Sequence, residues 1–197
     1  MAPRPGLSER FDEALVWASS LHRGQRKARR APYISHLLAV SAIVLEHGGS
    51  EDEAIAALLH DAVEDQHTTG EAIAARFGAE VATTVLACSD DPALAALSWR
   101  DRKAAYLLHV RDLGPSAVLV SGADKLDNVR GLVRAHRREG EAMWVRREGG
   151  REARLWFYRA MADTLAETGH APMLVVELSD AVLELELRSQ TADAVPR

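Results

Sequence analysis

Ile55-Ala56-Ala57-Leu58-Leu59-His60-Asp61-Ala62-Val63-Glu64-Asp65 carries two patterns at once. Ile55, Leu58, Leu59, Ala62 and Val63 recur at the i, i+3, i+4, i+7, i+8 spacing of an apolar helical stripe. Set into that stripe are a His-Asp pair and a Glu-Asp pair. On one continuous helix, His60 and Glu64 stack four residues apart, as do Asp61 and Asp65. Three carboxylates and an imidazole held so close are costly unless a cation or a substrate compensates them, and a divalent metal would do so. An acidic helix end is ordinarily a solvated face, so the metal reading depends on what the remaining chain supplies.

Two other segments supply matching chemistry. Pro32-Tyr33-Ile34-Ser35-His36 leads into Leu37, Leu38, Val40, Ile43 and Val44, an apolar helix for which Ser35 is the expected N-cap and His36 a first-turn residue. Val118-Leu119-Val120-Ser121-Gly122-Ala123-Asp124-Lys125-Leu126-Asp127-Asn128 is an apolar segment ending in polar groups, with Asp124 and Asn128 four apart on one face. Two imidazoles and two carboxylates on three helices form a mixed nitrogen and oxygen donor set. That set suffices for a transition metal with positions left for water and substrate.

The whole chain reads as helices. They are expected at Ser8 to His22 (Phe11, Ala14, Leu15, Ala18 and Leu21 inward), then near 36–46, 51–65, 70–77, 79–88, 99–112, 115–134, 151–167 and 171–188, with a loop at Asp90-Asp91-Pro92. Arg137 to Gly150 is charge-rich and glycine-bearing, which predicts a mobile loop. The β-branched runs Val118-Leu119-Val120 and Val175-Val176 keep helical neighbours and are not read as strands. The expectation is a single all-α domain over 1–197, with its core at about 9–186 and a frayed tail after 189.

Composition narrows the class of function. The hydrophobic fraction of 47% is ordinary for a globular core, and the net charge of −5 gives no global field for nucleic acid. Arg23, Arg26, Lys27, Arg29 and Arg30 form a local basic run directly before His36. Such a run is commonly a solvated loop, yet here it adjoins the metal candidates, where a polyphosphate would need neutralising; Lys27 is the chief candidate. The single cysteine, Cys88, cannot pair within the chain and is expected to be a buried thiol in a reducing compartment. No stretch approaches the roughly 20 apolar residues of a membrane span, and the first residues lack the apolar core of a signal peptide. A cytoplasmic protein without membrane or nucleic-acid partners is expected, its oligomeric state left open. His22, His47, His67, His109, His136 and His170 lack an acidic partner at ligand spacing and are read as structural.

His36, His60-Asp61 and Asp124 resemble the four ligands of the HD metal-dependent phosphohydrolases. Gly24-Gln25-Arg26-Lys27, Pro32-Tyr33-Ile34-x-His36, His60-Asp61-x-x-Glu64-Asp65, Arg76-Phe77-Gly78 and Ala123-Asp124-Lys125-Leu126-Asp127-Asn128 resemble, more narrowly, the hydrolase domain of the RelA/SpoT alarmone enzymes. Ser89-Asp90, Trp99-Arg100-Asp101-Arg102-Lys103 and Leu155-Trp156-Phe157-Tyr158 are similar to the small alarmone hydrolases in particular. The resemblance spans roughly Glu9 to Glu186. It departs at Leu37, where the family has Pro, at Gly122, where a larger residue is usual and whose presence predicts a loosened helix, and at Lys27 and Ala28, where the bifunctional enzymes have Arg and Lys.

The resemblance implies an HD-domain helical bundle that removes the 3′-pyrophosphate of (p)ppGpp, giving GDP or GTP and pyrophosphate, with Mn²⁺ as its metal. Zn²⁺, Fe²⁺ and Co²⁺ also suit the donor set. His36, His60, Asp61 and Asp124 hold the metal, which activates a water. Glu64 and Asp65 take the proton of that water or hold it in line. Asn128 bonds the ribose or the ligand sphere, Lys27, Lys125 and Arg154 face the phosphates, and Arg154 with Tyr158 lines the nucleotide pocket. A chain of this length has no room for the synthetase domains, so degradation alone is expected. Alternatives are hydrolysis of (p)ppApp or of the 2′-phosphate of NADPH, a general HD nucleotidase, and an inert alarmone-binding module.

Overall fold

The computed structural model describes residues 6–27 and 31–191. Ala28, Arg29 and Arg30 of the basic segment lie outside the described residues, as does the tail from 192. Among the described residues all regular elements are helical, apart from one isolated bridge between Arg26 and Pro32. Residues up to Ser89 together with Leu119–Ala123 form one compact unit; Asp90–Val118 and the residues from Asp124 form a second.

In the first unit, α1 (Glu9–Leu21) is capped by Ser8, and the Arg10 guanidinium donates to the Phe77 carbonyl at 2.7 Å. α2 (Ile34–Glu46) and α3 (Glu51–Leu59) are joined at Gly49. A Cβ at Gly49 would stand 2.9 Å from the Val44 carbonyl oxygen, so only glycine permits this tight a return. Ser50 then starts α3 with a reciprocal capping box: its hydroxyl accepts from the Glu53 amide while the Glu53 carboxylate accepts from the Ser50 amide. Every residue from Ala54 to Leu59 is fully buried, so α3 is apolar all round and packs against α1, α2 and α6 (Ala79–Cys88). Burying Ile55, Leu58 and Leu59 contributes about 1.5–3 kcal/mol each. The Ser41 hydroxyl on α2 donates to the Ala54 carbonyl at 3.0 Å, fixing the register of the two helices that carry His36 and His60.

The continuous helix expected over 51–65 is interrupted. α3 stops at Leu59, α4 (Ala62–Gln66) begins a new turn, and Asp61 between them has φ −95° and ψ 0°. The apolar spacing survives the break because the Asp65 amide still bonds the Asp61 carbonyl at 2.9 Å. Periodicity alone cannot register such a kink. Ser35 is not the N-cap of α2 either. The Ser35 and His36 amides already bond the Pro32 and Tyr33 carbonyls, so Tyr33 starts the helix. α5 (Gly70–Phe77) packs on α6, and Cys88 at the end of α6 is half-buried rather than buried.

In the second unit, α7 (Trp99–Val110), α9 (Gly150–Glu167) and α10 (Pro172–Thr191) pack in sequence. α8 (Pro115–Glu139) belongs to both units and runs without interruption through Gly122, five residues beyond its expected end. Within the segment expected to be mobile, a 3₁₀ turn over Gly140–Trp144 buries Met143 and Trp144. His136, expected to lack an acidic partner, meets Glu141 Oε1 at 2.8 Å.

Candidate active site

The kink at His60-Asp61 aims two side chains back at α2. His36 and His60 are buried, 2% and 4% exposed, with their rings edge to face and 5.3 Å apart. His60 Nδ1 lies 2.8 Å from the Ala57 carbonyl, which can only accept. That bond puts the ring proton on Nδ1 and leaves the Nε2 lone pair as the one a cation could use. Asp61 Oδ2 sits 3.1 Å from His60 Nε2 and 3.8 Å from His36 Nε2. Tyr33 donates its hydroxyl to the same oxygen at 2.5 Å and stacks on His22. The sequence reading gave Tyr33 no part in the site. Its signal was the Pro32-Tyr33 step that starts α2.

Asp124, one residue past Ala123 on α8, is buried. In the first unit His36, His60 and Asp61 bring their donor atoms together, and Asp124 is the further carboxylate expected as a ligand. Two imidazole nitrogens with a carboxylate against both suit a borderline divalent metal and would leave positions open for further ligands. Asp124 is itself held at both oxygens. Asn128 Nδ2 donates to Oδ1 and Lys125 Nζ to Oδ2, each at 2.5 Å. Asn128 thus bonds the candidate ligand sphere, one of the two partners expected for it. Burial opposes the charge on Lys125, but Asp124 and Tyr106 outweigh it and hold the ammonium well above its ordinary value.

Glu64 and Asp65 are exposed on α4. Asp65 Oδ2 accepts from Gln25 Nε2 at 2.7 Å. Lys27 is half-buried, with Nζ 5.7 Å above the Tyr33 ring. In the second unit the charge of Arg154 acts on Tyr158, its expected partner. Arg154 Nε also donates to the Glu148 carbonyl at 3.0 Å, and its guanidinium lies 5.0 Å over Trp99. Tyr158 is buried, and burial raises its pKa although Arg154 opposes the rise. Arg147 escaped the sequence reading. It donates to the Met143 carbonyl, and partial burial followed by the charge of Arg154 lowers its pKa. Lys103 ion-pairs with Asp90 at 2.7 Å and lies 5.5 Å over Tyr106.

A family model described as HD domain matches residues 14–150. The guanosine-3′,5′-bis(diphosphate) 3′-pyrophosphohydrolase MESH1 of Xenopus tropicalis is 40% identical over 126 residues, which are 62% of this chain and 69% of that protein. MESH1 of Homo sapiens is 39% identical over the same shares. Among solved structures, a metazoan ortholog of SpoT that hydrolyzes ppGpp superposes with a TM-score of 0.70 at 28% identity, covering 98% of this chain and all of the other.

Proposed function

Because this chain belongs to the HD domain family and shares the family of the MESH1 pyrophosphohydrolases, we propose that it hydrolyses guanosine alarmones, taking (p)ppGpp to GDP or GTP and pyrophosphate. The observation that carries this reading is the meeting of His36, His60 and Asp61 in the first unit, where Asp61 Oδ2 lies 3.8 Å and 3.1 Å from the two Nε2 atoms, with the Glu64-Asp65 pair on the next turn. His36, His60, Asp61 and Asp124 would hold one divalent ion, proposed to be Mn²⁺. When bound, it supplies Lewis-acid activation of a water and charge neutralisation at the scissile phosphate.

The protein's own groups do the rest. Asp65 or Glu64 accepts the proton of the attacking water, a contribution of about 10²–10⁴-fold. The water oxygen bonds the 3′-linked phosphorus as the bond to ribose O3′ breaks, so pyrophosphate leaves intact and O3′ collects a proton. Lys27 and Arg154 supply positive charge for the substrate's phosphates. Lys125, committed to Asp124, acts on the ligand sphere and the nearest phosphate together. Tyr158 keeps its proton and offers a hydroxyl, and Asn128 holds Asp124 in line. We take the chain as a single domain over 1–197, acting in the cytoplasm on a small nucleotide without nucleic acid. No described helix is long and apolar enough to cross a membrane.

The test is a release assay that separates pyrophosphate from orthophosphate over ppGpp, ppApp, NADPH, GTP and deoxynucleoside monophosphates. The expected result is GDP plus pyrophosphate from ppGpp, with weaker turnover after Lys27→Ala or Arg154→Ala. Orthophosphate as the sole product, or a preference for deoxynucleoside monophosphates, would overturn the reading.

A further inference from the structure

The group that holds Asp65 is itself held from three sides. Gln25 Nε2 donates to Asp65 Oδ2 at 2.7 Å. Gln25 Oε1 lies 2.6 Å from Gln66 Nε2 and 2.7 Å from His22 Nδ1. A carboxylate only accepts, so the amide nitrogen must face Asp65 and the amide oxygen must face the other two groups. Reversing the amide would set its oxygen against a carboxylate and its nitrogen against the Gln66 amide. The pattern therefore has one consistent arrangement, and it requires His22 Nδ1 to carry the ring proton. Gln66 Nε2 and His22 Nδ1 then stand 3.4 Å apart as two donors and share Gln25 Oε1 rather than bonding each other. Among the described residues His22 Nε2, buried, has no hydrogen-bond partner, as expected when the ring bonds through Nδ1.

The backbone of Gln25 is pinned as well. Its amide bonds the His22 carbonyl at 3.0 Å, and its carbonyl accepts from the Tyr33 amide at 3.2 Å. Tyr33 is the residue whose hydroxyl holds Asp61. Gln25 and Tyr33, joined through that backbone bond, thus grip the carboxylates at both ends of the Asp61–Asp65 turn, Asp61 through a phenol and Asp65 through an amide. Asp65 is otherwise an exposed side chain on a five-residue helix, free to sample rotamers.

We propose that Gln25 is a positioning residue: anchored by His22 and Gln66, it fixes the Asp65 carboxylate in the orientation from which it takes the proton of the attacking water. The assignment rests on the hydrolase reading above. A misplacement of about 1 Å at such a group costs about a hundredfold in rate, so the effect belongs in kcat. Ground-state binding does not use this carboxylate.

Gln25→Leu and the isosteric Gln25→Glu, which keeps the shape but faces Asp65 with an acceptor, should each lower kcat by about ten- to a hundredfold. KM should stay within about twofold and bound metal should be unchanged. In an Asp65→Asn background, Gln25→Leu should cost nothing further, because the group it positions is already disabled. The assays use whichever nucleotide of the panel the wild type turns over, so failure of the ppGpp reading is seen separately in the wild-type products. A second readout needs no activity. The Gln25 side-chain amide proton resonances of the intact protein should shift on Asp65→Asn and not on Glu64→Gln. Multiplicative losses in the double variant, a rise in KM in place of the fall in kcat, or an amide indifferent to Asp65→Asn would each overturn the proposal.

Discussion

A histidine is readied for a metal by what its other nitrogen bonds, and the proposed ligand His60 has such a partner. The Ala57 carbonyl at 2.8 Å takes the Nδ1 proton and leaves Nε2 for a cation. On that basis His60→Ala or Asp124→Ala should abolish hydrolysis and lower the bound metal, with helix content by circular dichroism nearly unchanged. Activity persisting in either variant would remove these residues from the ligand set. Glu64→Gln and Asp65→Asn should keep the metal and lose most of kcat, since they delete a proton acceptor and not a ligand. Loss of metal in either would move that residue into the coordination shell. At this scale the sequence was informative about residue types and silent about partners. His36, His60 and Asp124 stand out in the sequence as ligand candidates through their residue types and their places on apolar helices. Tyr33 and Gln25 stand in recognisable motifs, but their bonds to Asp61 and Asp65 are set by tertiary packing, which a linear pattern does not show.

Among the elements, the first unit depends on how α3 is launched. Ser50 and Glu53 cap it, and Glu51 accepts the Ser8 amide at 2.5 Å, tying the start of α1 to the start of α3. Hydrogen bonding to Ser8, its amide first, outweighs burial and, with a smaller push from the charge of Arg10, holds the Glu51 carboxyl below its ordinary value of 4.5. A carboxyl with a lowered folded-state pKa stabilises the fold above its unfolded value and loses that contribution as pH falls through the folded one. Glu51→Gln should therefore lower Tm at neutral pH, and the gap to the wild type should close as the pH drops well below 4.5. A gap that stays constant down to acid pH would mean that shape, not charge, is at stake. The helices themselves were largely readable from apolar spacing. The break between α3 and α4 was not, because the stripe continues across it. The extension of α8 and the 3₁₀ turn after it were hidden under a charge-rich composition that reads as loop. Burial of Met143 and Trp144 outweighs that local polarity.

For the molecule as a whole, metal and fold are linked. An ion that binds the folded chain and not the unfolded one raises stability by RT ln(1 + [L]/Kd), about 2.7 kcal/mol at a hundredfold excess over Kd. Mn²⁺ should raise Tm in a concentration-dependent way, chelation should reverse it, and Asp124→Ala should abolish the response; an unchanged Tm would argue against a resident metal. The division of the chain into units has a further consequence for anyone who would cut it. The polypeptide passes from one unit to the other after Ser89, returns at Leu119, and leaves again after Ala123. Neither unit is a single stretch of chain. A gene fragment ending at Ser89 lacks the five residues Leu119–Ala123 that complete its own unit, while the fragment it leaves behind carries them. No single cleavage point yields two whole modules, and half the gene encodes no self-contained part.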